Sequence, residues 1–371
     1  MAKDGPREVS PVQRELSRRR FLRNAGAVAS LPMLGGVAEI LSQQGASAST
    51  YQRNADHPFF ASHPRYHFVV VNHVTTNPFF TATIYGIQDA CNLTACSYQW
   101  TGSTDSIVGQ MVAAMDDAIA ARAKGIGVAL IDNTAFDKPT NTALDVGIPV
   151  IAYNADVETG FVNNRMAYVG QSNLTAGAAV ATHILKYVKK GDLVAIIIAT
   201  PGTTNLQPRI TGAAPIFKAA GVDHVEVGTS ATSGSPEYDK IATWYAGHKD
   251  VKFMMSVDGG DSDALAEFIV NEKLKGKVGA SGWDVGTPVV DAVHAGDLTL
   301  TIDQQAYLQG FDTIMQLFLY NISGGLMRPT DTDTGTAVIT KPIVGPYLKG
   351  SRWEGTSSKE TVTKPPPSIP L

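Results

Sequence analysis

A chain of 371 residues with 44% hydrophobic content can bury a large core. It exceeds the roughly 250–300 residues at which single cores stop growing, so two lobes are expected. The net charge is −4 at pH 7, and without the first 48 residues, which hold seven Lys/Arg and four Asp/Glu, the balance is 23 basic against 30 acidic groups, a net −7. That balance argues against nucleic acid, which demands basic patches. Two cysteines, Cys91 and Cys96, have no adjacent His or carboxylate, which argues against zinc. A local disulfide and a pair of small buried thiols both suit them, and nothing marks either as catalytic. The eight histidines are scattered and form no metal-binding pair.

The chain opens with an export address. Ser17-Arg18-Arg19-Arg20-Phe21-Leu22-Arg23 is a twin-arginine pattern, a weakly apolar run follows from Ala25 to Leu41, and Ala46-Ser47-Ala48 offers a small-residue cleavage site. The run contains Gly, Pro and Glu39 and falls short of the about 20 apolar residues of a membrane span. Residues 1–48 are therefore expected to be a Tat signal peptide that delivers a folded protein to the periplasm or beyond. The absence of a nearby Cys argues against a lipid anchor. Residues 49–65 read as a flexible leader.

Strands and helices then alternate. Apolar runs at Phe68–Val71, Ala95–Trp100, Gly127–Ile131, Pro149–Tyr153, Met166–Val169, Leu193–Ala199, His224–Val227, Lys252–Ser256, Lys277–Ala280 and Leu298–Ile302 read as strands. Between them, Ile107, Met111, Met115 and Ile119 repeat at four-residue spacing on one expected helical face. Helical patterns also cover Ala176–Val188, Ala213–Ala220, Tyr238–Ala246, Asp261–Asn271 and Gln309–Asn321. This alternation implies α/β architecture with parallel sheets covered on both faces. Roughly ten units suit two doubly wound lobes better than one open sheet, an eight-unit barrel being the competing topology. Residues 349–371, with Pro365-Pro366-Pro367, read as a flexible tail.

Ligands of such sheets bind beyond the C-terminal strand ends, and those positions are rich in polar groups and aromatic rings. The first strand is followed by His73, Asn77, Phe79 and Phe80; the second ends at Trp100; the fourth leads into Asn154 and Asp156. Later ends supply Gly202-Thr203-Thr204-Asn205, Arg209, Asp258, Trp283, Asp284 and Gln304. Amides and carboxylates suit hydroxyl groups, and aromatic faces suit the C–H face of a sugar ring. No nucleophile–base pair stands among them, nor a GxGxxG, GxxxxGK[ST] or GxSxG motif. Each has a bland counterpart: Asn77 and Asp258 as helix caps, Phe79, Phe80 and Trp283 as core, Arg209 in a surface ion pair. Asp261 and Asp263 read as first-turn helix charges.

From about His67 to Leu348 the chain resembles the periplasmic sugar-binding proteins of the ribose/galactose type, substrate-binding components of ABC importers. The resemblance lies in Asn77-Pro78-Phe79-Phe80, Tyr153-Asn154-Ala155-Asp156, Val169-Gly170-Gln171-Ser172-Asn173, Arg209-Ile210-Thr211-Gly212, Gly282-Trp283-Asp284 and Gln304, six matches in the family's order. Two departures stand out. Ribose binders carry Asp-Arg where this chain has Asn154-Ala155, so an ionic grip on ring hydroxyls is absent or moved to Asp156. The amide usual after the eighth strand is Asp258.

The resemblance implies two doubly wound parallel-sheet lobes joined by a three-segment hinge. The lobes are expected at 66–170 plus 305–336 and at 171–304 plus 337–348. It implies a monosaccharide or sugar alcohol held by His73, Asn77, Phe79, Phe80, Trp100, Asn154, Asp156, Arg209, Asp258, Trp283, Asp284 and Gln304. No catalytic residue, metal or cofactor is expected. The expected partners are an ABC permease and its ATPase, with no nucleic acid, and the protein is expected to be a monomer. An exported sugar receptor for chemotaxis or signalling shares this chemistry. A sugar hydrolase would use two carboxylates a set distance apart, such as Asp258 and Asp284. A LacI-type repressor would need a helix-turn-helix where the export signal stands.

Overall fold

The computed structural model describes residues 62–229 and 235–349. The expected signal peptide at 1–48, residues 49–61 of the expected leader and all of the expected tail beyond 349 lie outside the described residues. The ten expected strands form, as β1 (His67–Asn72), β2 (Ser97–Gly102), β3 (Ile126–Val128), β4 (Val150–Tyr153), β5 (Ala167–Gly170), β6 (Leu193–Ile198), β7 (Asp223–Gly228), β8 (Phe253–Ser256), β9 (Gly279–Ser281) and β10 (Leu300–Asp303). Two short strands near the end, β11 (Thr332–Asp333) and β12 (Ala337–Thr340), complete the sheets.

The strands build two six-stranded sheets rather than a barrel, ordered β2-β1-β3-β4-β5-β11 and β7-β6-β8-β9-β10-β12. Pairing is parallel except between β10 and β12. Each sheet reverses its winding beside its first strand, at β1/β3 and at β6/β8, and such switch points open a crevice for a ligand. Three chain segments pass between the sheets: from β5 into the second, from β10 into the helix that returns to the first, and from β11 to β12. The central strands read as continuous apolar runs because helices cover both faces; β4 and β8 are buried at every residue, whereas the edge strand β7 is mostly exposed.

The helices are α1 (Thr81–Leu93), α2 (Val108–Ala120), α3 (Asp137–Asp145), α4 (Asn173–Ile184), α5 (Gln207–Ala220), α6 (Ser235–Gly247), α7 (Gly259–Asn271), α8 (Thr287–Ala295) and α9 (Ala306–Ile322). In α2 the buried face is Met111, Ala114, Met115 and Ala118, while Ile107 caps the helix and is exposed. A strict four-residue repeat drifts by about 40° per step around a helix of 3.6 residues per turn, so only the middle of the expected stripe faces the core.

Glycines set two close helix pairs. A Cβ on Gly86 or Gly310 would overlap a backbone carbonyl across the α1–α9 contact, and one on Gly177 or Gly212 would do so across α4–α5, where Gly177 meets the carbonyl of Arg209. That second contact brings Asn173 of α4 beside Arg209 of α5. Cys91 and Cys96 are separate, buried thiols. Burial, followed by the neighbouring Cys96, pushes the Cys91 thiol up to about 12.

Candidate functional site

Loops after all four switch-point strands converge on one cleft, lined by His73 and Asn77 after β1, Ile131 after β3, Thr200 and Asn205 after β6, and Asp258 after β8. Phe79, Phe80, Asn154, Arg209, Asp284 and Gln304 complete the expected residues found there, so nine of the twelve expected side chains share one lining.

The β1 loop is held by local hydrogen bonds. Asn77 Oδ1 accepts from Phe79 N at 2.9 Å, with Pro78 opening a short 3₁₀ turn. Capping thus occupies the oxygen of Asn77 and leaves its amide nitrogen for other partners. Phe79 packs edge-on against Phe80 with ring centroids 4.7 Å apart. Phe80 is buried and also meets the His73 ring edge-on, while Phe79 stays half-buried at the cleft.

The opposite wall is charged. Arg209 is 2% exposed; its Nε donates to Asn173 Oδ1 at 2.9 Å and Nη1 to the Val257 carbonyl at 2.5 Å. Burial draws its affinity for protons down, although Asp284 and Asp258 oppose that. Asp258 caps α7 through Oδ1, which accepts from Asp261 N, and its Oδ2 accepts from Ala199 N. Asp284 is pushed up to about 7, chiefly by burial, against the nearby Arg209 charge and the Gln304 hydrogen bond.

Amides line the passage between the lobes. Asn154 Nδ2 donates to Gln309 Oε1 at 3.0 Å, Gln309 Nε2 donates to Gln304 Oε1 at 3.2 Å, and Gln304 Nε2 donates to Asp284 Oδ1 at 2.6 Å. Asn154 (φ 62) and Asp284 (φ 68) both adopt the left-handed conformation. Asn and Asp tolerate that region better than other side chains, and residues held there concentrate at functional sites.

Three expected residues lie outside the lining. Asp156, in the loop beyond β4, pairs with Arg165, whose Nε donates to its Oδ1 at 2.6 Å and whose Nη2 approaches its Oδ2, so both of its oxygens are engaged outside the cleft lining. Trp100 stands behind Phe80 and donates from Nε1 to the Thr75 carbonyl at 3.1 Å. Trp283 is fully buried beneath Arg209, its ring centroid 4.5 Å from the guanidinium carbon, where the ring faces a cation. Both tryptophans thus support cleft residues from behind.

The cleft also contains Glu237, Ser106, Thr203 and Asn205. Glu237 belongs to the first turn of α6, a place that inspection of strand ends passes over. Asn205 sits in the polar run after β6 and meets the β1 loop, His73 Nε2 lying 3.4 Å from its Nδ2. Next to it Thr204 Oγ1 donates to the Leu130 carbonyl at 2.5 Å. These contacts join the two lobes directly. Among the described residues no group of three or more His, Cys, Asp and Glu could hold a metal ion, and no helix is long and apolar enough to cross a membrane.

Two doubly wound lobes meeting over a polar cleft at their switch points define a bilobal solute-binding protein. A family model, the periplasmic binding protein domain, matches residues 68–323, and the chain belongs to that family. It is 39% identical over 368 residues to the xylose/arabinose-binding protein XylF of Sulfolobus acidocaldarius, covering 93% of this chain and 90% of that relative. A solute-binding protein of an ABC transporter from Burkholderia graminis, solved with D-arabinose, superposes with a TM-score of 0.70 at 24% identity over 76% of this chain and 98% of that one. A carbohydrate transporter from Acidothermus cellulolyticus, solved with myo-inositol, gives 0.71 at 21% identity over 79% and 100%. Both solved structures share the fold.

Proposed function

We propose that this protein is the exported solute-binding component of a carbohydrate ABC importer, taking a monosaccharide or sugar alcohol between its lobes. The observation that carries the reading is the composition of one cleft: Arg209, Asp258 and Asp284 on one wall, the amides of Asn77, Asn154 and Gln304, and the ring of Phe79. Carboxylates accept hydroxyl protons, the guanidinium and amides donate to hydroxyl oxygens, and the aromatic ring packs on C–H faces.

Pentoses are the first candidates, since the 39% identical relative is named for xylose and arabinose. The Asn154-Ala155 pair, in place of the Asp-Arg of ribose binders, speaks for a pentose other than ribose. The lobes comprise 66–170 plus 305–336 and 171–304 plus 337–348, and they close as a hinge because the ligand makes contacts on both walls only when the walls are together. The leader at 1–48 exports the folded chain by the twin-arginine route, and the loaded monomer docks on a permease driven by an ATPase. The cleft binds its solute without catalysis.

Thermal-shift and calorimetric titration of the purified protein against pentoses, hexoses and sugar alcohols tests this reading. A tight ligand raises Tm through linkage. If none of these compounds binds, the sugar reading is wrong.

A further inference from the structure

Helix α1 ends in a turn that recurs in this fold. Ala95 stands in the left-handed conformation (φ 51), and Cys96 N donates back to the Cys91 carbonyl at 2.9 Å. This is the Schellman closure of a helix, in which the side chains at the two ends of the turn meet. At the ends of α2, α3, α5 and α7 the same bond brings together Ala118 and Ala123, Ala143 and Ile148, Phe217 and Val222, and Ile269 and Leu274. All eight of those residues are apolar and buried. In α1 the two positions hold the only two cysteines of the chain, 3% and 6% exposed. A disulfide asks for Cβ atoms about 3.5–4.5 Å apart, and side chains in contact at the two ends of one closed turn supply that approach. Burial, followed by the Cys96 sulfur beside it, pushes the Cys91 thiol up to about 12.

We infer that Cys91 and Cys96 are an oxidation site, and that in the exported protein they join as a disulfide stapling the end of α1 to the start of β2. The inference rests on the export reading above, because disulfides persist in oxidising compartments; the pairing of the two sulfurs does not depend on it. The step is thiol–disulfide exchange with an oxidant that itself carries a disulfide. One cysteine thiolate attacks a carrier sulfur and releases one carrier thiol. The second thiolate then attacks the mixed disulfide, forms the Cys91–Cys96 S–S bond and releases the other carrier thiol. Two electrons and two protons pass to the carrier. A chain exported already folded arrives with both thiols reduced, so the bond closes inside the native fold. Both sulfurs are buried and the Cys91 thiolate is disfavoured, so closure waits on opening of the last turn of α1. Once formed, the bond constrains the unfolded chain and raises stability. It does so in the helix that follows the Asn77–Phe80 loop and packs closely on α9.

The test starts from the full chain purified with both thiols reduced. It is incubated with excess glutathione disulfide, quenched in acid, denatured, treated with N-ethylmaleimide and weighed by intact mass spectrometry. The oxidised chain should lose two hydrogens, take up no maleimide and melt about 2–4 °C above the reduced chain. Cys91→Ala and Cys96→Ala should each keep one reactive thiol and gain nothing in Tm from the oxidant. Two maleimide adducts after prolonged incubation would mean that the pair is an apolar staple only, and a stable glutathione adduct on one sulfur would mean that the two cannot join; each overturns the inference. A second arm expresses the chain with its own leader in a bacterium that has the twin-arginine pathway and traps thiols in each fraction with acid. The bond is expected in the periplasmic chain and free thiols in the cytoplasmic one. Free thiols in periplasmic chain overturn the inference while export stands. A chain confined to the cytoplasm overturns the export reading, and the first arm still decides whether the two sulfurs join.

Discussion

Gln304 Nε2 donates to Asp284 Oδ1 at 2.6 Å, which ties the second passage between the lobes to the charged wall of the cleft. The same Gln304 accepts from Gln309 Nε2 and lies 3.5 Å from Arg209 Nη2, and its carbonyl accepts from Thr334 Oγ1 near the third passage. One residue, through its side chain and its backbone carbonyl, thereby ties the charged wall to two of the three connecting segments.

Asp284 should therefore be tested with care for its backbone. Asp284→Asn keeps the left-handed φ and an Oδ1 that accepts from Gln304 Nε2, and should weaken sugar binding about ten- to a hundredfold while leaving the fold intact. Asp284→Ala should lose affinity similarly but also cost about 1–2 kcal/mol from an unfavourable φ. Calorimetric titration and urea unfolding of the two variants separate these contributions.

Stability should depend on pH with a sign set by the buried carboxyls. Asp284 and Asp263 are each pushed up to about 7 by burial and neighbouring carboxylates, so the folded state binds more protons than the unfolded one between about 4 and 7. Their contribution is fully present below the ordinary carboxyl range and is lost as pH rises through 7. His73, held at about 4, acts in the opposite sense: its contribution is present above about 6.5 and lost as pH falls through 4. Two carboxyls outweigh one imidazole, so Tm of the sugar-free protein should rise as pH is lowered from about 8 to about 5.5. Asp284→Asn should flatten that slope, measured by differential scanning calorimetry.

Arg209 balances buried negative charge without a direct salt bridge to any described carboxylate. Arg209→Met should destabilise by about 3–5 kcal/mol, because Asp258 and Asp284 keep their burial and lose the compensating charge. Arg209→Lys should recover only part of the loss, since one ammonium cannot reach both Asn173 and the Val257 carbonyl in the fork geometry. Denaturant midpoints of the two variants check this order.

Breaking the Asp156–Arg165 pair separates structure from recognition. These side chains are 17% and 18% exposed, so Asp156→Ala should cost about 1–3 kcal/mol of stability while changing sugar affinity by less than about twofold. A large loss of affinity at unchanged stability would return Asp156 to the site.

Gly177→Ala should act at a distance. Its Cβ would strike the Arg209 carbonyl, so α5 must shift, at a cost of about 1–3 kcal/mol for overpacking. Affinity should fall with stability because Arg209 moves with its helix. Equilibrium unfolding together with titration reads both.

The alternation of apolar runs and helical patterns determined the α/β class, the ten main strands and the two-lobe division, because buried parallel strands leave an unbroken apolar signature that needs no knowledge of neighbours. It also placed Asn77, Phe79, Asn154, Arg209, Asp258, Asp284 and Gln304 at strand or helix ends, where a switch-point crevice has to open. Direction within those loops was not legible. Asp156 lies two residues beyond Asn154, yet it turns to Arg165, and Trp283 adjoins Asp284 but lies beneath Arg209. Adjacent side chains point to different sides of the backbone, and only the neighbours supplied by other strands decide which side is the cleft. The same reason hid Glu237 and the His73–Asn205 contact: the partners are 132 positions apart for that pair, and a hydrogen bond across the gap between two lobes leaves no trace in local composition until both lobes are folded and facing each other.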